Sequence, residues 1–262
     1  PLVNLYNYHT GEYMNELDVG AKGLNSNDYH TFYTYLYSYL KYDVSTKDRN
    51  HNFGLQLGYS QETNDYDWLK GYRKDFPFPL TEIDAGSKEL QEAEGNLEQW
   101  SLMGVFGRFN YNYKERYLFE ANFRYDGSSR FSEGNKWAFF PSVSVGWRIT
   151  EEAFMKKQSV INDLKLRTSY GRVGNQAIDI YSTQYLFSSG STILGGSQIV
   201  TYTPSEVPNP NLTWEKTDQF DLGVDFSLFN SRLSGSLDFY HKKTRDLLWK
   251  ISVPSYIGQS TQ

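Results

Sequence analysis

Residues 113–152 read YKERYLFEANFRYDGSSRFSEGNKWAFFPSVSVGWRITEE, two alternating segments joined by a loop rich in Gly, Ser and Asn. In residues 116–125 the odd positions are apolar and the even positions are mostly polar, and residues 142–149 repeat the alternation. A strict period of two over this length predicts β-strands with one apolar and one polar face. Tyr117 and Tyr125 stand at the two ends of the apolar face, an arrangement typical of transmembrane barrel strands.

The composition agrees with a barrel without excluding other all-β folds. Mean hydropathy is only −0.63, yet 17% of the 262 residues are aromatic and 22 are Tyr. This suits outer-membrane barrels, in which half of each strand faces water and Tyr gathers at the interfaces. A Tyr-rich soluble β-sandwich or lectin would have a similar composition. The net charge of −5 gives no basic field for nucleic acid, and without cysteine there are no disulfides and no thiol catalysis.

Further segments along the chain show the same alternation. They lie at residues 50–60, 100–112, 163–172, 214–229 and 232–246, and together with residues 1–9 and 29–42 they bring the expected total to about nine strands. Residues 1–9 resemble the tail of a strand. Residues 29–42 are strand-like with apolar side chains on both faces, so their orientation is not fixed by the sequence.

The connections between these segments alternate in length. One set is short to moderate and comprises residues 43–49, 113–115, 150–162 and 230–231. The other set is mostly long and comprises residues 10–28, 61–99, 126–137, 173–213 and the chain from 247 onward. The end of the 61–99 loop is acidic and has the composition of a short helix. Outer-membrane barrels place short turns on the periplasmic side and long loops outside, and a soluble sandwich has no reason to segregate loop lengths. The alternation therefore favours a barrel.

The polar residues of the strands also indicate which face is turned outward. A shift of residues 116–125 by one position would turn Arg116, Glu120 and Arg124 toward lipid. Each Arg near the bilayer midplane costs about 2–4 kcal/mol. The polar face is therefore expected to line an aqueous interior or to contact a plug.

Three long segments resemble one family, the SusC/RagA-type TonB-dependent transporters of Bacteroidetes. They are NFRYDGSSRFSEGNKWAFFPSVSVGWRITEEAFM, DLKLRTSYGRVGNQAIDIYSTQY and PNPNLTWEKTDQFDLGVDFSLFNSRLSGSLDFYHKKTRDLL. The shorter FGLQLGYSQE and GRFNYNYKERYLFE fit the same pattern. Together they extend over most of residues 50–250, whereas residues 1–49 match only loosely.

The resemblance implies a fold, a function and partners. Members are barrels of about 22 strands with a plug in the lumen. They import bulky nutrients, typically oligosaccharides and in some members peptides, across the outer membrane in a process driven by TonB. A SusD-like surface lipoprotein caps the extracellular mouth. By this resemblance residues 1–262 are part of the barrel domain, set in outer-membrane lipid, with no enzymatic activity and no cofactor.

Several parts of such a transporter are not recognised in the sequence. There is no run of about 18 apolar residues for a transmembrane helix, no signal peptide, no plug and no TonB-contact segment. Nine strands cannot close the expected barrel, and an open sheet edge is not viable in lipid. We therefore expect a central-to-late piece of a longer polypeptide or a truncated gene product.

Aromatic side chains in the two longest loops are the candidates for substrate contact, because ring faces stack on sugar rings. They are Trp68, Tyr72, Phe76 and Phe78 in the first loop and Tyr181, Tyr185 and Tyr202 in the second. Packing within the loops, or contact with the capping lipoprotein, is the alternative use of these residues.

Other polar residues do not form a recognisable catalytic or metal motif. The four histidines, His9, His30, His51 and His241, lack the spacing of metal ligands. Asp221 and Asp225 share a strand face that a polar lumen lining explains, and the Gly/Ser turn at residues 126–130 follows ordinary turn chemistry. Two other functions stay open at this point: a passive porin or adhesin barrel, and a soluble carbohydrate-binding β domain.

Overall fold

The computed structural model describes residues 23–76, 82–89, 91–205 and 208–250, together with the backbone of residues 5–6 and 13–14. The fold is almost entirely β. Its strands are β1 (Leu5–Tyr6), β2 (Tyr13–Met14), β3 (Gly23–Ser45), β4 (His51–Lys74), β5 (Gln91–Tyr113), β6 (Tyr117–Ser128), β7 (Trp137–Arg148), β8 (Ile161–Asn175), β9 (Phe187–Leu194), β10 (Ser197–Pro204), β11 (Glu215–Leu228) and β12 (Leu233–Arg245). No helix in the described part of the chain is long and apolar enough to cross a membrane.

Eight of these strands form one sheet in the order β12-β11-β8-β7-β6-β5-β4-β3. Each strand pairs with its neighbour along the chain, apart from the inserted β9–β10 hairpin, which forms a two-stranded sheet of its own. The strand expected in residues 1–9 is represented by β1, which pairs with β2. The main sheet of the described residues therefore has eight strands instead of about nine, and the predicted antiparallel meander is confirmed.

The hairpin predicted in residues 113–152 is confirmed, and so is the tight turn predicted at residues 113–115. Phe119 lies opposite Val145 and Glu120 opposite Ser144, so apolar pairs and polar pairs fall on opposite faces. On the other side Phe119 lies opposite Tyr111 of β5. The turn after β5 places Lys114 at φ 54°, a left-handed conformation that closes the connection within a few residues.

The first long loop predicted at residues 61–99 is wrong in its extent. Strand β4 continues to Lys74, and β5 already begins at Gln91, so the acidic segment expected to form a short helix is extended strand. β4 has 24 residues, whereas a barrel strand needs roughly 9–11 residues to cross a bilayer. The additional residues have polar side chains on both faces, so the alternation that marks a strand in the sequence is lost there.

The second long loop, predicted at residues 173–213, is also shorter than expected. Strand β8 continues to Asn175, and the loop contains the β9–β10 hairpin with Leu194 opposite Ser197. Its turn residues Gly195 and Gly196 have φ of 60° and 80°, which glycine adopts without strain and which suit a two-residue hairpin. Similarly, β6 ends at Ser128 instead of before residue 126.

The chain divides into two compact units, Pro1–Thr34 with Thr63–Trp100, and Tyr35–Glu62 with Ser101–Gln262. In the first unit, Leu24 and Phe76 are buried and pack with Ile83 and Ala85. In the second unit, the buried core is formed by Phe131, Ala138, Phe140 and Trp214. Both cores are small. Most of the stability of the strands must therefore come from the hydrogen bonds between neighbouring strands and from the medium that surrounds the sheet.

The second unit has two chemically distinct sheet faces. We call "polar face" the side carrying Asn110, Glu120, Ser144, Arg167 and Asp225, and "apolar face" the side carrying Phe119, Val145, Leu166, Leu222 and Leu237. The apolar face is uncovered: Val145 is 47% and Leu237 70% exposed. A soluble sandwich would bury such a face against a second sheet.

Strand β3, whose orientation the sequence does not fix, is oriented by its contacts. The carboxylate of Asp43 lies over Gly54, on the side that Asn110 occupies in β5. The odd residues of β3 within the second unit therefore belong to the polar face, and the even ones, including Leu36 and Leu40, to the apolar face. Leu40 is 82% exposed there.

Candidate functional site

Cross-strand ion pairs cover the polar face. The Arg167 guanidinium lies between two carboxylates, with Nε 3.2 Å from Asp225 and Nη2 2.6 Å from Asp238. Between them Gly223 leaves room for the guanidinium, since a Cβ there would lie 2.6 Å from Arg167 Cζ. Arg108 pairs with Glu120 at 2.8 Å in the same way. The face is thus densely charged but locally balanced, which is suited to a surface in contact with water or with a polar ligand.

A cavity of about 630 Å³ opens on the polar face. Its wall includes the amide of Asn110, the carboxylates of Glu120 and Asp221, and the cations of Lys165 and Arg167. These groups supply hydrogen-bond donors and acceptors and both signs of charge. Together with apolar side chains such as Leu118 and Phe119, such a wall can hold a chain that carries both polar and apolar groups.

An aromatic and cationic group occupies the polar face farther from the short turns. The rings of Tyr37 and Phe106 stack at 5.0 Å between centroids, and the guanidinium of Arg124 lies 5.5 Å from the Phe106 ring. The stack crosses strand β4 at Gly58, where a Cβ would lie 2.3 Å from Phe106 Cζ. Tyr35 and Tyr39 flank Tyr37 on the same strand at centroid distances of 6.2 and 5.7 Å. Ring faces and a guanidinium together can bind both sugar rings and peptide groups.

Arg124 is held in place by a buried partner. Its Nη2 and Nε donate to the two carboxylate oxygens of Asp126 at 2.9 and 3.0 Å, and Nη2 also donates to Ser60 Oγ at 3.3 Å. The Asp126 side chain is 11% exposed and lies over Gly104, which has no side chain to obstruct it. The bidentate pair fixes the guanidinium plane beside the Phe106 ring.

The loop between β6 and β7 and the loop between β8 and β11 are joined by a hydrophobic core. Phe131 is 1% exposed, and its ring lies 5.5 Å from that of Trp214, which also contacts Phe140 at 5.2 Å. Trp214 Nε1 donates to the carbonyl oxygen of Lys136 at 2.8 Å. Since buried Trp usually has such a partner, this contact fixes the ring in one orientation.

Polar contacts reinforce the same loop junction. Arg130 donates to the carbonyl oxygen of Ile178, and Asn135 Nδ2 donates to that of Pro210 at 3.3 Å. These loop residues belong to the segments that carry the family resemblance. The junction is therefore an ordered platform at the long-connection end of the second unit.

The predicted substrate-contact residues of the first loop belong to the first unit. Trp68 and Tyr72 are half-buried residues of strand β4 instead of loop residues, and the Tyr72 hydroxyl lies against Gly23. Phe76 is 8% exposed and packs in the core with Leu24, so little of its ring is available to a ligand. Phe78 lies outside the described residues. The substrate role assigned to this group stays a prediction.

The predicted residues of the second loop belong to the second unit and are more accessible. Tyr185 and Tyr202 are 69% and 70% exposed, and Tyr202 lies on β10 opposite Ser189. Tyr181 is half-buried, with φ at 70°. The β9–β10 hairpin also exposes Phe187, so its surface is aromatic and uncovered. The substrate role of these three tyrosines likewise stays a prediction.

Two of the histidines, His30 and His51, make ordinary polar contacts. His30 lies near Asp28 and Asp67 at 3.6 and 3.5 Å, and His51 Nδ1 lies 2.8 Å from the Tyr111 hydroxyl. His9 lies outside the described residues. Among those described, no group of three His, Asp or Glu residues is arranged to hold a metal ion.

The aromatic and cationic group on the polar face is not predicted by the sequence. The rings of Tyr35, Tyr37 and Tyr39 have the odd-position spacing that places them on one face, but β3 is aromatic on both faces, so that face cannot be chosen from the sequence. Phe106 occupies a position where neighbouring strand residues are polar. Its mismatch with the pattern is the one signal that indicates a special use.

The geometry defines a class of protein, a membrane β-barrel wall, with an uncovered apolar face and an ion-paired polar face on the same sheet. The chain belongs to the family described as TonB dependent receptor-like, beta-barrel, whose profile matches residues 3–260. The resemblance to SusC/RagA-type transporters is thereby confirmed.

Individual relatives support the same family. The TonB-dependent receptor SusC of Bacteroides thetaiotaomicron is 39% identical over 182 residues, 66% of this chain and 18% of SusC. The TonB-dependent receptor P3 of Formosa agariphila is 38% identical over 230 residues, 86% of this chain and 22% of P3. The structure of the RagAB peptide transporter superposes with a TM-score of 0.83 at 28% identity, over 92% of this chain and 26% of that one. The chain thus spans about a fifth to a quarter of these relatives.

Proposed function

We propose that these strands form part of the wall of an outer-membrane transporter that imports bulky nutrients with energy supplied through TonB. The observation that carries this proposal is the division of one sheet into an uncovered apolar face and an ion-paired polar face. The first suits lipid and the second suits an aqueous or plugged lumen. The chain belongs to a family of TonB-dependent receptors, and this supports TonB as the proposed energy source.

The proposed barrel is larger than the eight-stranded sheet. Strands β3 and β12 form the two edges of that sheet, and unpaired edges are not stable in lipid. Further strands of the same transporter would pair with both edges and close the barrel. The plug and the segment that contacts TonB would also belong to those other parts.

The substrate class we propose is oligosaccharides or peptides. The polar face offers balanced charges and a row of aromatic rings, which can bind either hydroxyl-rich or amide-rich chains. The RagAB structures are those of a peptide transporter, and this supports a bulky organic substrate over a metal chelate. The exposed aromatic residues Tyr185 and Tyr202 are proposed to contact the substrate at its entry.

We also propose that a SusD-like lipoprotein covers the long-connection end. We assign this contact to the β9–β10 hairpin, because Phe187, Ile193 and Leu194 are each at least 60% exposed on a short two-stranded sheet. Exposed aromatic side chains such as Phe187 are typical anchors of protein interfaces.

The test of the proposed function is uptake by whole cells. Cells that carry the complete transporter gene should accumulate a fluorescent oligosaccharide or peptide pool, and cells lacking the gene should not. Deletion of TonB should abolish accumulation while leaving the amount of transporter in the outer membrane unchanged. Accumulation that persists without TonB would favour the passive porin instead.

A further inference from the structure

Charged residues line the apolar face at the long-connection ends of β8, β11 and β12. Arg172, Asp218 and Lys243 are direct register partners across the three strands, and Lys216 and Arg245 form the next row. We call these five residues the charged rim. They follow directly after Tyr170 on β8 and Phe220 on β11, and on β12 they follow His241, so they mark the point where that face ceases to be compatible with hydrocarbon.

The charged rim is organised around one carboxylate. Asp218 accepts hydrogen bonds from Arg172 Nε at 2.6 Å and from the Tyr170 hydroxyl at 3.1 Å, and it also contacts Arg245. Its side chain is only 12% exposed, whereas that of Arg245 is 50% exposed. The carboxylate thus holds two guanidinium groups side by side and leaves part of their donors facing outward.

The charge of the rim contrasts with that of the protein. Lys216 pairs with Asp246 at 3.8 Å. Four cations, those of Arg172, Lys216, Lys243 and Arg245, therefore face only two carboxylates, in a chain whose net charge is −5. Local positive charge on an acidic protein indicates a specific anionic partner more than general charge balance.

The height of the rim matches the position of lipid headgroups. On β11 the rim residue Asp218 is ten residue steps from Leu228, which is about 33 Å along the strand at ~3.3 Å per residue and roughly 25 Å in height for a strand tilted by about 40°. Apolar bands of outer-membrane barrels are about 25 Å tall. At the same end of β6 and β7 the apolar face ends in a stacked pair, Tyr125 and Trp137, at 5.1 Å. The cationic ending of β8, β11 and β12 is thus not shared by β6 and β7.

We propose that the charged rim binds the phosphate groups of anionic lipid headgroups in the leaflet at the long-connection end. The inference rests on the proposed function, since it requires the apolar face to lie in lipid. The fixed guanidinium pair on Asp218 supplies bidentate phosphate recognition, and Lys243 adds a point charge beside it. A strand pairing with the edge of β12 would leave this outward face open.

The experiment uses the complete transporter, extracted from membranes in nonionic detergent. Native mass spectrometry measures binding of dioleoyl phosphatidic acid and dioleoyl phosphatidylcholine. The wild type should prefer phosphatidic acid, and Lys243→Ala/Arg245→Ala should bind it on the order of tenfold more weakly. Lys243→Ala alone, which removes no contact of Asp218, should lose part of this affinity.

The matched control is Lys242→Ala, on the same strand but on the polar face opposite Gln219. It should bind phosphatidic acid like the wild type. Unchanged binding by the double variant, or an equal loss with Lys242→Ala, would overturn the inference. Displacement of the lipid by an equal concentration of inorganic phosphate would make the rim a free-phosphate site. Recovery of the protein from the soluble fraction would overturn the proposed function as well.

Discussion

Gly58 is a position where a single methyl group decides whether two strands can share an aromatic stack. Its missing Cβ would lie 2.3 Å from Phe106 Cζ and 2.7 Å from the Ser38 carbonyl oxygen, so ring and backbone both obstruct it. Gly58→Ala should destabilise the barrel by about 1–3 kcal/mol through overpacking. Thermal unfolding in detergent measures this, and Gly134→Ala, with open space around the Cβ, is the control. Equal melting temperatures would contradict the close packing.

Glu152 lies in the connector after β7 and contacts the short-turn end of the β6–β7 hairpin. Its carboxylate accepts from the Tyr117 hydroxyl at 2.6 Å, from Trp147 Nε1 at 3.1 Å and from Arg116 Nη1 at 3.0 Å. The hydrogen bonds from Tyr117 and Trp147, together with the positive charge of Arg116, hold the pKa of Glu152 below its ordinary value of 4.5.

The lowered pKa predicts a pH-dependent contribution of Glu152 to stability. The contribution is complete above the ordinary value of 4.5 and is lost as pH falls through the lower folded-state pKa. Glu152→Gln should therefore melt at a lower temperature than the wild type at neutral pH, and the difference should shrink in acid. Melting curves across pH 3–7 test this. A difference that is constant over this range would show that the charge of Glu152 is not involved.

Substitution of Trp68 directly tests the prediction that aromatic residues of the first unit contact the substrate. Trp68→Ala in the complete transporter should weaken ligand binding without lowering surface abundance, because a stacking face is lost. Leu69→Ala is the control: Leu69 is 62% exposed and its side chain lies on the other side of the same strand. Unchanged binding by Trp68→Ala at equal abundance would assign Trp68 to packing within the first unit.

At the scale of elements, the β6–β7 loop and the β8–β11 loop of the second unit are joined by one hydrophobic core. Trp214 is 4% exposed and contacts both Phe131 and Phe140. Trp214→Ala should cost about 3–5 kcal/mol of local stability. Limited proteolysis should then cut residues 129–136 and 176–213 much faster, whereas Trp249→Ala, which removes an 84% exposed ring, should not change the pattern. Equal protection in both variants would mean that the loops are held by other contacts.

The sequence predicts strands well where one face is apolar and the other polar. The hairpin of Phe119 and Val145 follows the alternation closely and is confirmed. Strand β4 beyond residue 60 is not predicted, because its polar side chains on both faces remove the period of two. The β9–β10 hairpin is not predicted for a related reason. Its strands are short and exposed, and Ser and Gly interrupt the alternation of apolar and polar residues.

The candidate site is harder to predict than the fold, because it depends on which strands become neighbours. Tyr37 and Phe106 are far apart in sequence and meet only because Gly58 lies between them. Phe76, in contrast, looks like an accessible loop aromatic in the sequence, and its burial follows from packing against Leu24. Residue type alone shows neither that Tyr37 and Phe106 meet nor that Phe76 is buried.

At the scale of the whole molecule, the assignment of the two faces to lipid and water determines every functional proposal. Val224 lies near the middle of the apolar residues of β11, and its register partner Leu237 belongs to the same face. Val224→Arg should impair outer-membrane assembly, because an Arg facing the bilayer midplane costs about 2–4 kcal/mol.

Ser236→Arg, one residue away from Leu237 and on the polar face beside Asp225, introduces the same charge at the same height. It should assemble normally, since that face already carries ion pairs. Heat-modifiable migration of the transporter in outer-membrane fractions distinguishes the two variants. If both assemble equally well, the apolar face is not set in hydrocarbon; if only Ser236→Arg fails, the two faces are reversed. Failure of Val224→Arg alone is the result that the uncovered apolar face requires.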